Sequence, residues 1–360
     1  MYDYLIVGAG LFGAVLADLL TSYGKKVLVV EQKNVVGGTC YTDVDKGITV
    51  HRYGAHIFRT NHDYIWNYVN RFVHFKPFIN SPLAYVDGNL YNLPFNMNTF
   101  HQLWGVTTPH EAVVKIEDDK CHYDYTPGSL EEYALSKVGK TIYEKFIKGY
   151  TEKQWGKECI ELPASILGRL PLRFTYDNNY YSNKLYQGVP VEGYTVMIER
   201  MLKGATVDLE ADYRDYIGIA KHTVFTGSID EYYDYRFGKL EYRSLRFEHE
   251  SYCVENIQGN AVINYTEKMI PYTRSIEHKH FLGEESPYTI VSKEYPCEYD
   301  GNNERYYPIE TDNNLLLYKK YASIVTDTIF AGRLGSYKYT DMEQTVQNAM
   351  ELALHLRYLD

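Results

Sequence analysis

The first thirty residues leave this chain little choice of fold. Tyr2 to Val7 is a short apolar run that passes straight into Gly8-Ala9-Gly10-Leu11-Phe12-Gly13. Apolar residues then recur at helical spacing through Ala14, Leu16, Ala17, Leu19 and Leu20, and the pattern stops near Gly24. Lys26-Val27-Leu28-Val29-Val30-Glu31 follows as a second apolar strand closed by an acid. Strand, glycine-rich turn, helix and strand make the opening unit of a doubly wound α/β domain. Each glycine then has its own task. The first permits the tight turn, the second lets a pyrophosphate approach the backbone, and the third lets helix and strand pack closely. The helix N-terminus presents free N–H groups to phosphates, and Glu31 stands where ribose hydroxyls are read. G-x-G-x-x-G by itself is a weak signal. Between a strand and a helix it predicts a bound dinucleotide.

The rest of the chain divides by pattern. From about Asn61 to Arg173, aromatic-rich helical stretches such as Tyr64 to Val69 and Leu130 to Lys148 are punctuated by Pro109, Pro127-Gly128, Gly139 and Pro163. The segments from about Phe174 to Tyr194 and from Arg243 to Tyr295 are richer in β-branched and aromatic residues and read as antiparallel strands. Ala205 to Leu209 and Thr223 to Gly227 read as returns to the first domain. The chain closes with a strand at Thr328 to Gly332 and an amphipathic helix from about Met342 to Arg357. The expected architecture is α/β. A Rossmann-like domain is built from 1–60, 195–240 and 315–360. A mostly helical insertion covers 61–173, and an antiparallel β-sheet substrate domain covers 174–194 and 241–314.

Charge and cysteine usage narrow the partners. With 37 Lys and Arg against 47 Asp and Glu, the formal net charge is −10. An acidic surface argues against nucleic acid or anionic membrane as the main partner, so an anionic substrate needs local arginines. The 38 tyrosines against 14 phenylalanines supply flat rings with a hydroxyl, suited to bases, sugars and phosphates. Cys40, Cys121, Cys159, Cys253 and Cys297 are odd in number and lack a C-x-x-C pair, which reads as free thiols in a reducing compartment. Met1 is followed at once by a strand, and no uncharged apolar run approaches a membrane span. The expectation is a cytoplasmic protein without membrane insertion. Glu277-His278-Lys279-His280 lacks a partnering metal motif and reads as structural, so no metal is expected.

Which dinucleotide binds is answered further along. Gly37-Gly38, soon after Glu31, resembles the second fingerprint of glutathione-reductase-like flavoproteins, and Gly332-Arg333 stands where such proteins close over flavin. Both favour FAD over NAD. Thr340-Asp341-Met342-Glu343 reads as a capping box that starts the last helix. In those flavoproteins that N-terminus faces the N1/C2 edge of the flavin, where it would favour negative charge by ~0.3–1 kcal/mol.

Longer motifs carry a more specific resemblance. They are Tyr53-Gly54-Ala55-His56-Ile57-Phe58, Asn80-Ser81-Pro82-Leu83, Leu93-Pro94-Phe95-Asn96-Met97-Asn98-Thr99-Phe100 and Gly149-Tyr150-Thr151-Glu152-Lys153-Gln154-Trp155. Pro271-Tyr272-Thr273-Arg274-Ser275-Ile276-Glu277-His278-Lys279-His280, Tyr306-Tyr307-Pro308 and Gly332-Arg333-Leu334-Gly335 continue the series. From Tyr2 to about Met350 the chain resembles the bacterial UDP-galactopyranose mutases. The resemblance implies FAD that is active when reduced, a UDP-sugar substrate and a homodimer. It also implies an isomerase, in which the flavin N5 rather than a side chain attacks the sugar anomeric carbon. The absence of a nucleophile–base pair or paired carboxylates agrees with that expectation.

Carried over position by position, Arg169 and Arg274 resemble the diphosphate clamp; guanidinium suits it through bidentate, charge-assisted bonds. Tyr307 and Tyr339 resemble the phosphate-contacting hydroxyls, and Tyr150 the uracil-stacking ring, with Asn264 and Ile147 near it. Thr151, Trp155 and Tyr180 resemble other substrate-pocket residues, and Asn80 lies near sugar or phosphate. The span from Arg169 to Tyr180 resembles the family's lid. For FAD the positions are Gly8, Gly10, Phe12, Gly13, Glu31, Gly37, Gly38, Thr39, His56, Ile57, Arg333, Asp341 and Met342, with Asp212 and Tyr213 near the adenine. Two positions depart from the family pattern. Thr39 replaces the usual Asn, a change expected to leave FAD binding intact. Arg59 replaces the second His of a His-Ile-Phe-His run; being longer and permanently charged, it could reach a 2-acetamido group and admit UDP-N-acetylgalactosamine. A flavin oxidase or desaturase on the same scaffold, and a non-catalytic nucleotide-sugar-binding flavoprotein, are the alternatives.

Overall fold

Five parallel strands form the first sheet, in the spatial order Thr206–Asp208, Val27–Val30, Tyr2–Val7, Ala220–Phe225 and Thr328–Phe330. The computed structural model describes residues 1–167 and 172–359. Val27–Val30 is buried at every position, as expected of a strand covered on both faces, which therefore lacks alternation. The helix Leu11–Ser22 packs against Gly193–Leu202 and Met342–Leu356. Ile6, Leu16, Leu20, Met197, Val346 and Ala353 share one continuous core there. The Tyr4 hydroxyl donates to the Leu356 carbonyl at 2.8 Å and ties the last helix to the first strand. All five strands come from the three stretches assigned to this domain by pattern.

The second sheet has seven strands, in the order Tyr307–Pro308, Tyr242–Tyr252, Thr289–Glu298, Arg274–Glu277, Val262–Tyr265, Leu83–Val86 and Asn89–Asn92. Its pairings are antiparallel except that of Val262–Tyr265 with Leu83–Val86. Two assignments need correction. The hairpin Leu83–Asn92 lies in the stretch expected to be mostly helical, yet it completes this sheet. A four-residue strand is too short to show a period of two against helical neighbours. Conversely, 174–194 does not join this sheet among the described residues. Its strand Tyr186–Pro190 pairs with Phe58–Thr60 and Phe75–Pro77 in a small separate sheet. Composition marks a strand but not its partner. Here Gly188 decides, because a Cβ on it would fall 2.6 Å from the Lys76 carbonyl oxygen.

The helices Met97–Trp104, Pro109–Asp119 and Leu130–Val138 enclose a second core that includes Phe100, Ile116, Leu130, Ala134 and Phe146. Each is started by a side chain that caps it, Asn96, Thr108 and Ser129 respectively. A π-helical stretch, Tyr143–Lys148, then runs directly into the helix Gly149–Trp155. Among the described residues no helix is long and apolar enough to cross a membrane.

Candidate active site

A cavity of about 1020 Å³ opens at the C-terminal ends of the central parallel strands and continues across to the second sheet. Crevices at strand C-terminal ends are where open α/β sheets bind ligands. Every site residue assigned from sequence lines this one cavity except Arg169, which lies outside the described residues.

One end is made largely of backbone. A Cβ on Gly8, whose φ is +107°, would fall 2.2 Å from Thr226 Oγ1, and one on Gly13 would fall 2.0 Å from the Gly8 carbonyl oxygen. A Cβ on Gly10 meets nothing within 4 Å; it would project into open space. The first and third glycines therefore serve the turn and the packing, and the second keeps room for a phosphate. Gly10 is also the N-cap of Leu11–Ser22 and offers no side chain to the first-turn N–H groups, leaving them for an anion. Glu31 Oε2 accepts the Ala9 N–H at 2.9 Å and Oε1 accepts the Lys33 N–H at 3.0 Å. The carboxylate so fixed keeps lone pairs for ribose hydroxyls.

Farther along this end, His56 Nδ1 lies 2.7 Å from the Gly54 carbonyl oxygen, so Nδ1 carries the proton and Nε2 is an acceptor. Burial pushes the His56 pKa down to about 4, and the ring is neutral at physiological pH. Arg333 donates to the Tyr306 and Thr340 carbonyls at 3.0 and 2.8 Å. The last helix starts at Met342 as its period implies, but its capping box is set one residue later than expected. Asp341, not Thr340, is the N-cap; its carboxylate accepts the Gln344 N–H at 2.9 Å, and Gln344 completes the capping box. Glu343 is drawn away instead to the Thr60 hydroxyl at 2.7 Å and to Lys184. A glycine cradle, an open helix N-terminus, a placed ribose acceptor and a second helix N-terminus fit FAD. That fit rests on the cradle that a Cβ would obstruct.

Side chains make the other end. Strand register sets Asn264 opposite Arg274, and Arg274 opposite Glu294. Arg274 Nε and a terminal nitrogen donate to Glu294 Oε1 at 3.0 and 2.8 Å. Glu294 is fully buried. Burial works against the Arg274 charge, but Glu294, with the Tyr150 and Tyr307 hydroxyls, holds its pKa well above the ordinary arginine value. The guanidinium is thus a fixed, permanent cation. Tyr307 lies 6.5 Å from Trp155 and 5.6 Å from Tyr339, ring centroid to centroid. Burial pushes the Tyr150 hydroxyl up to about 12, so it stays a neutral donor. Asn264 Oδ1, Glu294 Oε2 and the Tyr306 hydroxyl are buried with no hydrogen-bond partner among the described residues. Polar atoms in that position call for a ligand or water.

Of the stretch expected to act as a lid, Tyr180 lines this end of the cavity. Tyr180 N–H donates to the Asn80 carbonyl at 2.8 Å. Arg173 donates to the Asn179 and Tyr180 carbonyls. Arg59 is placed between Tyr181 and the cap of the last helix, its guanidinium 4.2 Å above the Tyr181 ring and 3.4 Å from Asp341 Oδ2.

Sequence reading missed Glu294, the carboxylate that orients Arg274. Its burial follows from a strand covered on both faces, with Thr289 to Ser292 and Glu294 all buried, and a carboxylate so placed needs a cation. It also missed Lys33 and Glu304, which pair at 2.5 Å beside the cavity. No local pattern marks that pair, because it joins residues far apart in sequence.

Comparison with known proteins agrees with this geometry. Residues 145–339 match the family model described as UDP-galactopyranose mutase, and residues 6–72 match the NAD(P)-binding Rossmann-like domain. A probable UDP-galactopyranose mutase of Klebsiella pneumoniae is 40% identical over 98% of this chain and 94% of its own length. A dTDP-fucopyranose mutase of Escherichia coli is 38% identical over 98% of each chain. A crystal structure of reduced UDP-galactopyranose mutase superposes with a TM-score of 0.76 at 14% identity, covering 100% of this chain and 96% of the other. Cyclohexylamine oxidase from Brevibacterium oxydans superposes at 0.61 with 13% identity, covering 99% and 98%, so the fold is shared with that oxidase. At these identities the structural likenesses speak for the fold, and the sequence matches speak for the family. The chain belongs to the UDP-galactopyranose mutase family.

Proposed function

We propose that this chain is an FAD-dependent isomerase that interconverts UDP-galactopyranose and UDP-galactofuranose. The observation that carries the reading is the Arg274–Glu294 pair, a fixed cation aimed into the same cavity as the glycine cradle. When bound and reduced, FAD supplies the nucleophile, N5, toward the sugar anomeric carbon. The chain's own residues do the rest. Arg274, joined by Arg169, holds the diphosphate both as part of the substrate and after its bond to the sugar breaks. Tyr307 and Tyr339 donate to its oxygens, and Tyr150 stacks on the uracil beside Asn264 and Ile147. Asn80, Thr151, Trp155 and Tyr180 bound the sugar and exclude water. Keeping the departed group in place matters because the same bond must re-form, and effective concentration does that work. His56 stays neutral beside the cofactor and offers an acceptor.

Arg59 extends the reading to UDP-N-acetylgalactosamine, since its five donors lie on the cavity wall. The dTDP-fucopyranose mutase relative makes a dTDP-sugar the competing substrate. Free thiols at all five cysteines support a reducing, cytoplasmic setting, and a homodimer is the expected assembly, checked by light scattering.

The deciding experiment incubates holoenzyme and dithionite with UDP-galactose, UDP-N-acetylgalactosamine or dTDP-fucose, then separates products by ring form. Ring interconversion without net consumption of reductant is expected. In a parallel incubation under air without dithionite, an oxidised sugar formed with one O2 consumed per product would instead mark an oxidase or desaturase, and no interconversion with any donor would mark a binding protein. For Arg59→His, the ratio of UDP-N-acetylgalactosamine to UDP-galactose turnover is expected to fall; an unchanged ratio removes Arg59 from substrate choice.

A further inference from the structure

We propose that Lys153 is a positioning residue of the nucleotide-sugar site. Its ammonium ties the helix that presents Tyr150, Thr151 and Trp155 to the hairpin that presents Asn264 and Arg274. The inference rests on the site reading above and concerns how that site is held together.

Lys153 lies on the helix Gly149–Trp155. Its Nζ donates to three carbonyls, those of Tyr265 at 2.7 Å, Ile270 at 2.9 Å and Tyr272 at 2.9 Å. The first oxygen belongs to the last residue of the strand Val262–Tyr265 and the other two to the loop that joins it to Arg274–Glu277, a hairpin in which Asn264 and Arg274 are direct partners. An ammonium has three donors, and here each meets one side or the other of the same loop. Among the described residues the ammonium's hydrogen bonds all go to backbone carbonyls and none to a carboxylate, so the bonds are spent on holding backbone.

Neighbouring contacts make the join a tight one. A Cβ on Gly149 would fall 2.2 Å from the Thr266 carbonyl oxygen, so helix and loop already touch backbone to backbone. Thr266 Oγ1 donates to the Lys145 carbonyl at 2.6 Å, and Lys268 pairs with Glu152 at 3.1 Å. From the other side Arg243 donates to the Gln154 and Lys153 carbonyls at 2.9 and 3.3 Å. A substrate that stacks its base on Tyr150 and places its diphosphate on Arg274 spans this join. Its affinity therefore depends on the distance between two elements that Lys153 sets.

The ammonium also titrates within reach of experiment. Burial pushes the Lys153 pKa down to about 8, opposed by the Glu267 carboxylate. Below that value all three carbonyls are held; as pH rises through it one donor and the charge are lost. The other groups facing it are Tyr265, Tyr272, Glu267 and Lys268 on the loop, Glu152 on its own helix, Arg243, and Lys293 above the Tyr272 ring. Burial pushes Tyr272 up to about 12. Lys268 and Lys293 are each raised by a carboxylate partner, Glu152 and Glu250. These three keep their protons where Lys153 loses its own.

The test is UDP titration of the oxidised holoenzyme, with flavin content measured in parallel, on wild type, Lys153→Met and Arg274→Ala. Lys153→Met is expected to bind UDP roughly ten- to a hundredfold more weakly, as displaced positioning contacts do. Flavin content stays at the wild-type level, and KM rises while kcat is largely kept. Wild-type affinity is expected to weaken from about pH 7 to about pH 9, and the weakened variant to show no such slope. UDP binding by Lys153→Met equal to wild type would overturn the proposal, as would parallel loss of flavin and UDP. If the variant does not accumulate as folded protein, a flat wild-type profile overturns it. Intact UDP binding by Arg274→Ala would instead strike the site reading itself.

Discussion

The two ends of the cavity are built by different means. The dinucleotide end comes from contiguous sequence: Gly8, Gly10 and Gly13 lie within one turn, and their spacing alone places backbone N–H groups around a phosphate. The nucleotide-sugar end has no such run. Asn264, Arg274, Glu294 and Tyr307 come from different strands, and Tyr150 and Trp155 from a helix beyond the sheet. The first end depends on the absence of side chains at fixed positions, the second on their presence and mutual support. An end built from backbone fails through added volume. An end built from side chains fails through a missing partner.

That contrast can be broken in order of expected effect. Arg274→Ala is expected to cost ~2–5 kcal/mol in transition-state or UDP binding, because a desolvated phosphate charge loses its partner. It should leave flavin content unchanged, and kcat/KM together with flavin absorbance reads both. Wild-type turnover would remove Arg274 from the diphosphate site, and loss of flavin would show that the two ends are not separable in this way. Glu294→Gln comes next, at about 1.5–3 kcal/mol for a charge-assisted bond. Arg274 stays but loses its orienting carboxylate, so KM for the UDP-sugar should rise more than kcat falls.

At the other end, Gly13→Ala should destabilise the protein by about 1–3 kcal/mol, since its Cβ has no room beside the Gly8 carbonyl. Thermal unfolding without added cofactor measures this. Gly10→Ala points into the cavity, so it should lower bound flavin after gel filtration while the unfolding of the cofactor-free protein barely moves. Full flavin retention by Gly10→Ala would refute the assignment of that glycine to the phosphate. The smallest effect belongs to the cap. Asp341→Ala should lower stability by about 1 kcal/mol and Thr340→Ala by less, because Asp341 is the residue that accepts the Gln344 N–H. A larger loss from Thr340→Ala would move the cap back.

Legibility in the sequence followed the same division. The βαβ opening and the closing helix could be read from period and turn chemistry, because both are local. The cap moved by one residue because two candidate boxes overlap, and only Thr60 and Lys184, distant in sequence, draw Glu343 out of the first. The hairpin Leu83–Asn92 and the strand Tyr186–Pro190 were misplaced because strand composition names no partner. At the sugar end, long motifs pointed to Arg274, Tyr150 and Tyr307 through resemblance. Nothing along the chain linked Arg274 to Glu294 or Lys153 to the loop that precedes Arg274.

What the sequence by itself determined is the dinucleotide cradle, the strands of the parallel sheet and the family. Glycine spacing, helical period and long motifs act over a few residues and need no distant partner. Tertiary structure alone decided which strands share a sheet, which carboxylate steadies Arg274, and which lysine ties the helix Gly149–Trp155 to the loop before Arg274. Those choices depend on cross-strand register and on buried charges finding partners, and the energy of both is realised only once remote segments are packed together.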